Sequence, residues 1–164
     1  MSAWIKTILL LPFNVLVIIP ALTLWLTGWR FHVNHLALTV TGGVLLAAGL
    51  SLAAWTMRLF DRVGQGTAAP WNPPKKLVVR GPYRHVRNPM ITSVLVMLLA
   101  EALLLNSWAV AVLFLLFWLG NVIYFPLVEE KTLRRRFGDD YALYKKNVPR
   151  WIPRPTPWSL PESR

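Results

Sequence analysis

Residues 81–105 read GPYRHVRNPMITSVLVMLLAEALLL. The first nine include two prolines, a glycine and several ionisable side chains, and a long apolar run begins at Met90. Backbone that proline and glycine leave unpaired beside a membrane helix must find partners inside the protein or in a polar cavity. The stretch therefore predicts a membrane helix that is preceded by a structured segment, and this segment forms one wall of a pocket.

The composition of the whole chain indicates a membrane protein. Of its 164 residues, 55% are apolar and 15% are charged. The apolar residues fall in blocks of about twenty, the length that crosses roughly 30 Å of hydrocarbon. We expect one all-α domain, an integral membrane helical bundle over residues 1–164, with four transmembrane helices at about 3–29, 36–57, 90–105 and 108–128. The first block is longer than the apolar core of a signal peptide, so we interpret it as a retained helix.

The charge distribution predicts the orientation of these helices. The chain carries a formal charge of +11 and nine tryptophans. Residues 58–88 hold seven Lys or Arg against one acid, and residues 131–154 hold eight. Basic flanks and interfacial aromatic residues are typical of membrane proteins, with the basic loops on the cytoplasmic side. We expect both termini on that side, membrane lipids as partners and no nucleic acid.

Short signals mark how the helices connect and pack. Gly42, Gly43 and Gly49 lie among small residues, which allow close approach of another helix. Asn106 and Ser107 alone separate the third and fourth spans, which predicts a tight helical hairpin. Residues 64–89 are rich in glycine and proline and show no helical period, so we expect an ordered, re-entrant loop on the cytoplasmic side.

The region from Glu129 onward changes character. Leu133 and Phe137 begin an apolar stripe that Tyr141 and Tyr144 continue under a charged face. This pattern predicts an amphipathic helix, kinked near Gly138, that lies along the membrane surface and is followed by an irregular tail. The C-terminal helix and tail together cover residues 129–164.

The residues that could carry chemistry lie on either side of the predicted hairpin. Residues 83–88 offer an aromatic ring, a histidine and an arginine, and the other side offers Glu129 and Glu130. Neighbouring acids on a helix point about 100° apart, so one of them at most faces a given ligand. We favour Glu129; the alternative is that both acids simply start a surface helix.

Two further sets of ionisable residues are weaker candidates. Glu101 is an intramembrane acid, which is often functional, but it lies close enough to the hairpin tip to reach water. His32 and His35 are three residues apart with no third ligand nearby. We expect no catalytic role for Glu101 and no metal site.

Several separated blocks of the chain resemble one family. GPYRHVRNPM, followed after the hairpin by EEKTL, FGDDYALYKKNVP and a proline-rich end, is similar to the isoprenylcysteine carboxyl methyltransferase and phospholipid N-methyltransferase group of integral membrane enzymes. The upstream GTAAPWNPPKKLVVRGPY resembles its bacterial members. The resemblance covers roughly residues 64–153 and implies a protein of the bacterial inner membrane with its active site at the cytoplasmic face.

The resemblance also implies a cofactor and the residues that bind it. The expected activity is methyl transfer from S-adenosyl-L-methionine to a lipophilic or membrane-embedded acceptor. Backbone amides and arginine suit the methionyl carboxylate, an aromatic face suits the sulfonium, and a carboxylate accepts from hydroxyl or amino groups. By motif position the cofactor contacts are Lys75, Lys76, Leu77, Val78, Tyr83, Asn88, Pro89, Met90, Ile91 and Glu129, and the candidate catalytic residues are Arg87, Glu130 and His85.

Two positions depart from the isoprenylcysteine enzymes. Asn88 replaces the histidine that usually precedes the proline, and Phe125 replaces an arginine that helps to bind the substrate carboxylate. A prenylated cysteine is therefore a doubtful acceptor, and a lipid amine, a lipophilic acid or a thiol remains open. A carboxylate acceptor needs no general base, whereas an amine acceptor needs one, for which Glu130 or His85 is the candidate.

Two other classes of function remain as alternatives. Membrane sterol reductases, which use NADPH, have a similar FG..Y..Y...VP tail but usually many more spans. A small membrane scaffold or accessory protein would need no site, and its loops would be basic for topology alone.

Overall fold

The computed structural model describes residues 12–30, 35–67 and 72–161. Within these ranges the regular structure is helical, with no strand. The all-α prediction is confirmed there. In chain order the helices are α1 Asn14–Leu26, α2 Leu36–Leu59, α3 Pro89–Leu104, α4 Trp108–Tyr124 and α5 Glu130–Asn147.

Two helices are long and apolar enough to cross a membrane. One is α2, which a π-helical turn extends to give Leu36–Gly64, and the other is Trp108–Asn147, which joins α4 to α5. The helices α1 and α3 are apolar but shorter, and residues 1–11 of the predicted first span lie outside the described residues. Large apolar side chains remain exposed, such as Val44 at 64% and Leu116 at 62%. Such extensive apolar surface indicates a membrane protein.

Helix α3 is the centre of the bundle. Its residues Val94, Met97 and Leu98 form a buried cluster, and α1, α2 and α4 contribute partly buried side chains to that cluster. These are Val15 and Leu16 from α1, Leu46 and Ala53 from α2, and Leu113, Phe114 and Phe117 from α4. The segment that precedes α3 is thereby fixed relative to the whole bundle.

The predicted glycine contact is confirmed for two of its three residues. A methyl group on Gly42 would lie 2.7 Å from Leu104 Cγ, and one on Gly49 would lie 2.6 Å from Met97 Cγ. The pairing shows that α2 and α3 run antiparallel in close contact. Gly43 has no such neighbour within 4 Å and is exposed, because it lies on a different side of α2.

The tight hairpin between α3 and α4 is confirmed. Asn106 adopts a left-handed backbone conformation, φ 46°, and the Ser107 hydroxyl accepts a hydrogen bond from the Val110 amide at the start of α4. Trp29, just after α1, donates from Nε1 to the Leu105 carbonyl at 2.9 Å. We call this the hairpin end of the bundle. The opposite end, which carries residues 60–88 and 129–161, is the loop end.

The C-terminal helix α5 forms with a break at Gly138, as predicted, where φ is 55° and ψ is −129°. Its apolar stripe, however, faces the protein. Tyr141 and Tyr144 are 3% exposed and pack with Val148. Loop residues Leu77 and Val79, α5 residues Leu133 and Phe137, and Trp158 of the tail surround this cluster. The prediction that the stripe lies on the membrane surface is therefore wrong, because the loop and the tail already cover it.

Candidate active site

The segment that starts with Gly81 is held against the end of α2. Gly81 has φ +54°, and a methyl group on it would lie 3.0 Å from the Trp55 ring, so both its conformation and its surroundings require glycine. The 3₁₀ turn Gly81–Arg84 follows and places Tyr83 in the interior, 6% exposed. The ring centroids of Tyr83 and Phe60 are 5.5 Å apart.

The two adjacent acids reach this end of the bundle because the helix does not stop at Pro126. Proline lacks the amide hydrogen and crowds the preceding turn of a regular α-helix. The π-helical turn Phe125–Glu129 accommodates it, and the helix continues into α5. Glu129 and Glu130 therefore lie inside a long helix, just beyond its apolar part. Since neither marks a free helix start, the alternative explanation for the pair does not apply.

Glu130 lies at the centre of a buried ion-pair cluster. Its side chain is 4% exposed, and Oε1 is 2.7 Å from Arg87 Nη1 and 2.6 Å from Arg150 Nη2, while Oε2 is 2.7 Å from Lys145 Nζ. Burial by itself raises the pKa of Glu130, but hydrogen bonds and charges from these three cations lower it below its ordinary value. A carboxylate with a lowered pKa and occupied oxygens is a poor general base. The pairing favours a structural role over the predicted catalytic one.

Glu129 has a different environment on the same turn of helix. No hydrogen bond or ion pair engages its carboxylate among residues 12–30, 35–67 and 72–161, and the residue is partly exposed. Burial raises its pKa. The pKa of Tyr83 is raised well above its ordinary value by burial and then by Tyr144 and the charge of Glu129. Tyr83 and Glu129 lie at the same end of the bundle, because Arg87 of the Tyr83 segment pairs with Glu130, the neighbour of Glu129, at 2.7 Å.

Two tyrosines, Tyr141 and Tyr144, border the candidate site on the α5 side. Tyr144 donates from its hydroxyl to the Tyr83 carbonyl at 2.7 Å, and burial raises its pKa. Burial also raises the pKa of Tyr141, with a further contribution from Glu130 that the charge of Arg87 opposes. Both phenols therefore stay protonated near neutral pH and serve as fixed hydrogen-bond donors.

The tail, residues 148–161, runs antiparallel beside residues 84–87. The Arg87 amide donates to the Pro149 carbonyl at 2.9 Å, and the Trp158 amide donates to the Arg84 carbonyl at 3.0 Å. The Arg84 side chain donates back to the Trp158 carbonyl at 3.0 Å. These bonds tie the GPYRHVR segment to a stretch of chain some seventy residues later. The tail is thus a structural part of the site.

His85 lies within this pairing. Its backbone carbonyl accepts a hydrogen bond from the Arg154 amide of the tail at 3.0 Å. Its ring Nδ1 is 2.8 Å from the Arg154 carbonyl. A carbonyl only accepts, so Nδ1 carries the proton and Nε2 of the neutral ring is left as an acceptor. This tautomer is the one that a base acting through Nε2 requires.

The four residues 75–78 are placed as support for the site. The amides of Lys75 and Lys76 both donate to the Gly64 carbonyl, at 2.7 and 3.3 Å, and their side chains are exposed. Leu77 packs on the tyrosine cluster of α5, and Val78 is 5% exposed. Because Gly64 accepts from the amides of Lys75 and Lys76, the predicted cofactor contacts of these two residues would have to use other atoms, and they stay a prediction.

The start of α3 lies directly after this segment. Pro89 occupies the first turn of the helix and is fully buried, whereas Met90 and Ile91 are partly exposed. The Asn88 carbonyl accepts from the Thr92 hydroxyl at 3.0 Å. Among the described residues, Asn88 Nδ2 is buried with no acceptor, and so is Nε of the neighbouring Arg87.

Several residues that shape the site were missed by the sequence analysis. Lys145 and Arg150 complete the Glu130 cluster, and Trp151 packs edge-on against Phe125 with ring centroids 5.9 Å apart. Trp151 Nε1 is a third buried donor for which the described part of the chain supplies no acceptor. Their sequence context, a basic, proline-rich end, indicated only topology.

These features describe a helical membrane protein whose loop and tail pair at one end of the bundle. Comparison with known families agrees with this description. The model of the phospholipid methyltransferase family matches residues 37–140. The match covers more than half of the chain and extends from α2 through the loop and hairpin into α5. The chain therefore belongs to the phospholipid methyltransferase family, as its motifs predicted. A search of curated proteins found no match.

Proposed function

We propose that this protein is a methyltransferase that uses S-adenosyl-L-methionine and acts on a lipophilic acceptor at the cytoplasmic face of the membrane. The observation that carries the proposal is that the segment of Tyr83 is bound to the helix of Glu129, through the Arg87–Glu130 ion pair at 2.7 Å and the Tyr144 hydroxyl, which donates to the Tyr83 carbonyl at 2.7 Å. Membership of the phospholipid methyltransferase family supplies the reaction class.

The residues at the loop end fit this cofactor. Its sulfonium and amino groups are cationic and its carboxylate is anionic, so it needs an acceptor and donors in one place. Glu129 is a carboxylate without a cation partner in the described chain. Arg87 Nε and Asn88 Nδ2 are buried donors for which the described residues offer no acceptor. This pairing of an available acceptor with available donors matches both ends of the methionyl group.

Each residue has a distinct role in the proposal. When bound, the cofactor supplies an electrophilic methyl group for in-line displacement. The Tyr83 ring lines the methyl path, Glu129 accepts from the amino or ribose groups, and Asn88 with Arg87 holds the carboxylate. The first turn of α3, with Pro89, Met90 and Ile91, and the side chains of Leu77 and Val78 form apolar walls that exclude water. Positioning of this kind supplies most of the acceleration in a bimolecular transfer.

The acceptor decides whether a base is needed. An ionised carboxylate attacks directly, whereas a protonated amine first loses a proton. The Nδ1 bond of His85 to Arg154 favours Nε2 as the base, and the ion pairs of Glu130 disfavour that residue. We therefore propose His85 as the base if the acceptor is an amine.

We further propose four membrane spans, with α1 and α3 crossing beside α2 and α4. The six Lys or Arg of 60–88 and the eight of 131–154 belong to the loop end, which favours its placement in the cytoplasm. The hairpin end then lies outside. This orientation puts the proposed cofactor site in contact with the cytosolic pool of the methyl donor.

The test is ligand binding to the full chain purified in detergent. S-adenosylhomocysteine, the demethylated product, should raise the melting temperature, because a ligand that binds only the native state stabilises it by mass action. Transfer of a radiolabelled methyl group into extracted membrane lipids should then identify the acceptor class.

The same experiment decides between the classes of function. Stabilisation by NADPH but not by S-adenosylhomocysteine would support a reductase and overturn the proposal. An unchanged melting temperature with both ligands would leave a scaffold or accessory protein as the better interpretation.

A further inference from the structure

Unpaired basic side chains gather where the loop meets α5. They are the exposed side chains of Lys75 and Lys76 from the loop and of Lys131, Arg134 and Arg135 from α5. Within residues 12–30, 35–67 and 72–161, no hydrogen bond or ion pair engages any of these five side chains. We call these five residues the basic surface.

Two contacts hold the loop cations beside the α5 cations. The Arg136 guanidinium of α5 donates a hydrogen bond to the Pro74 carbonyl, and Leu77 packs on the tyrosine cluster of α5. Lys75 and Lys76 lie between these two contacts in the sequence. Positive charges held together in this way repel one another, and an anion that binds among them relieves the repulsion.

The position of the basic surface along the long helix decides which anion can reach it. Ile123, Leu127 and Val128 are 60%, 56% and 47% exposed, so the apolar outer surface of this helix extends to Val128. At 1.5 Å per residue, Lys131 lies about 4.5 Å and Arg135 about 10 Å farther along the helix. The headgroup layer on each side of the hydrocarbon is about 5–8 Å thick, and long basic side chains can reach back toward it. The α5 cations therefore lie level with the lipid phosphates.

The acids of α5 and of the turn before it do not neutralise the basic surface. The oxygens of Glu130 are occupied by other cations, and Glu129 forms no ion pair within the described residues. Asp139 and Asp140 come after the break at Gly138 and form no ion pair there either. The charge of the basic surface is therefore available to an external anion.

Charge alone would also suit an acidic soluble protein. The apolar side chains that precede the cations favour a lipid instead. Over a few residues the outer surface of the helix changes from Leu127 and Val128 to Lys131 and Arg134. A bilayer makes the same change, from hydrocarbon to phosphate, over a similar distance.

We propose that the basic surface is a docking site for anionic phospholipids, whose phosphate oxygens accept hydrogen bonds from Lys131, Arg134 and Arg135. A guanidinium group can donate two parallel hydrogen bonds to a phosphate, and each cation near an anionic membrane surface contributes about a fivefold gain in association. The proposal goes beyond the proposed function, because it concerns lipids held at the outer surface of the protein and not the methyl acceptor.

The test places the full-length protein in phosphatidylcholine nanodiscs with a trace of lipid that carries a spin label on its acyl chain. The labelled lipid is either phosphatidylglycerol or phosphatidylcholine. Electron paramagnetic resonance measures the fraction of each that the protein immobilises, and the ratio of the two association constants is the anionic selectivity. The wild-type protein should show a severalfold selectivity at low salt, and about 0.5 M salt should remove most of it, because exposed charges are screened. A ratio near one at low salt would overturn the proposal and favour a soluble acidic partner.

Matched double substitutions localise the bound lipid. Arg134→Gln with Arg135→Gln removes two cations of the basic surface, so the anionic selectivity should fall severalfold. The control is Arg30→Gln with Lys146→Gln, which removes two exposed cations elsewhere, one at the hairpin end and one in the last turn of α5. The control protein should keep the wild-type selectivity. An equal loss in both proteins would show an effect of net charge alone and would overturn the proposal, as would no loss in either.

A single substitution keeps the test decisive if the double variant does not fold. Lys131→Gln removes one cation nearest the apolar part of the helix and should lower the selectivity, whereas Lys146→Gln should not. Equal selectivity in these two proteins would contradict docking at the basic surface. Binding of S-adenosylhomocysteine is measured on the same preparations. Its failure would overturn the proposed function without affecting the lipid proposal, whereas retained binding without anionic selectivity would overturn the lipid proposal alone.

Discussion

The long helix that continues from α4 into α5 presents two different sides at adjacent residues. On one side, Glu130 is enclosed by Arg87, Arg150 and Lys145, and its pKa is lowered. On the other side, Glu129 has no ion pair within the described residues, is partly exposed and has a raised pKa because of burial. Identical side chains thus differ in what they can do. The Glu130 side holds three segments together, and the Glu129 side is available to a ligand.

The largest expected effect comes from the Glu130 side. Glu130→Ala leaves Arg87 and Arg150 close together without their shared anion, and breaking a buried pair in this way costs about 3 kcal/mol. The melting temperature in detergent should fall by several degrees. Arg134→Ala, at an exposed position of the same helix, is the control and should change it little. A Glu130→Ala protein as stable as the wild type would show that the cluster does not hold the loop and tail together.

The next largest effect separates binding from stability. Glu129→Gln should change the free energy of unfolding by no more than about 0.5 kcal/mol, because no ion pair is lost. Its affinity for S-adenosylhomocysteine should fall about tenfold or more, the usual effect of losing a hydrogen bond to a charged group. Calorimetric titration measures both binding constants. Unchanged affinity would exclude Glu129 from the cofactor site.

Lowering the pH should reduce the affinity for the cofactor before it reduces the stability of the protein. Cofactor binding requires ionised Glu129, whose pKa is raised, so affinity should begin to fall at a pH above the ordinary carboxyl value of about 4.3. Glu130 has a lowered pKa, so its contribution to stability is present above that ordinary value and is lost only as the pH falls through the lower folded-state value. Affinity and melting temperature measured across this range should decline in that sequence. The opposite sequence would mean that the two roles are reversed.

The smallest effect is expected at Glu101, an acid within α3. Glu101 is twelve residues beyond Pro89 in α3, a distance of about 18 Å along the helix axis. Glu101→Gln should therefore leave the affinity for S-adenosylhomocysteine unchanged, as measured by the same titration. A clear loss of affinity would place the binding site farther along α3 than the comparison of Glu129 with Glu130 implies.

Local patterns predicted much of the fold. The hairpin at Asn106 and Ser107, the close contact at Gly42 and Gly49 and the break at Gly138 each depend on a few neighbouring residues, so the sequence displays them directly. The apolar stripe of α5 was also visible. The segments that cover this stripe were not visible, because an amphipathic pattern predicts that one face of a helix is buried but not what buries it.

The site was harder to predict for the same reason. Helix geometry indicated that at most one of Glu129 and Glu130 faces a given ligand, and the family resemblance assigned the cofactor to Glu129. The cations around Glu130 were not predicted, because Arg87 lies 43 positions before Glu130 and Lys145 and Arg150 lie 15 and 20 positions after it. The tail contacts join residues about seventy positions apart, as in the bond between Trp158 and Arg84. No periodicity or local motif reports pairs at that separation, so Trp151 and Arg150 were read only as part of a basic tail.

The antiparallel pairing of the tail with residues 84–87 imposes an order on biogenesis. During synthesis α2, α3 and α4 are complete before residues 148–159 are made. The Tyr83 segment then lacks its partners, and Arg87 lacks Glu130 and Pro149. A nascent chain should therefore insert into the membrane before it can bind any ligand. It becomes able to bind once the tail pairs with residues 84–87.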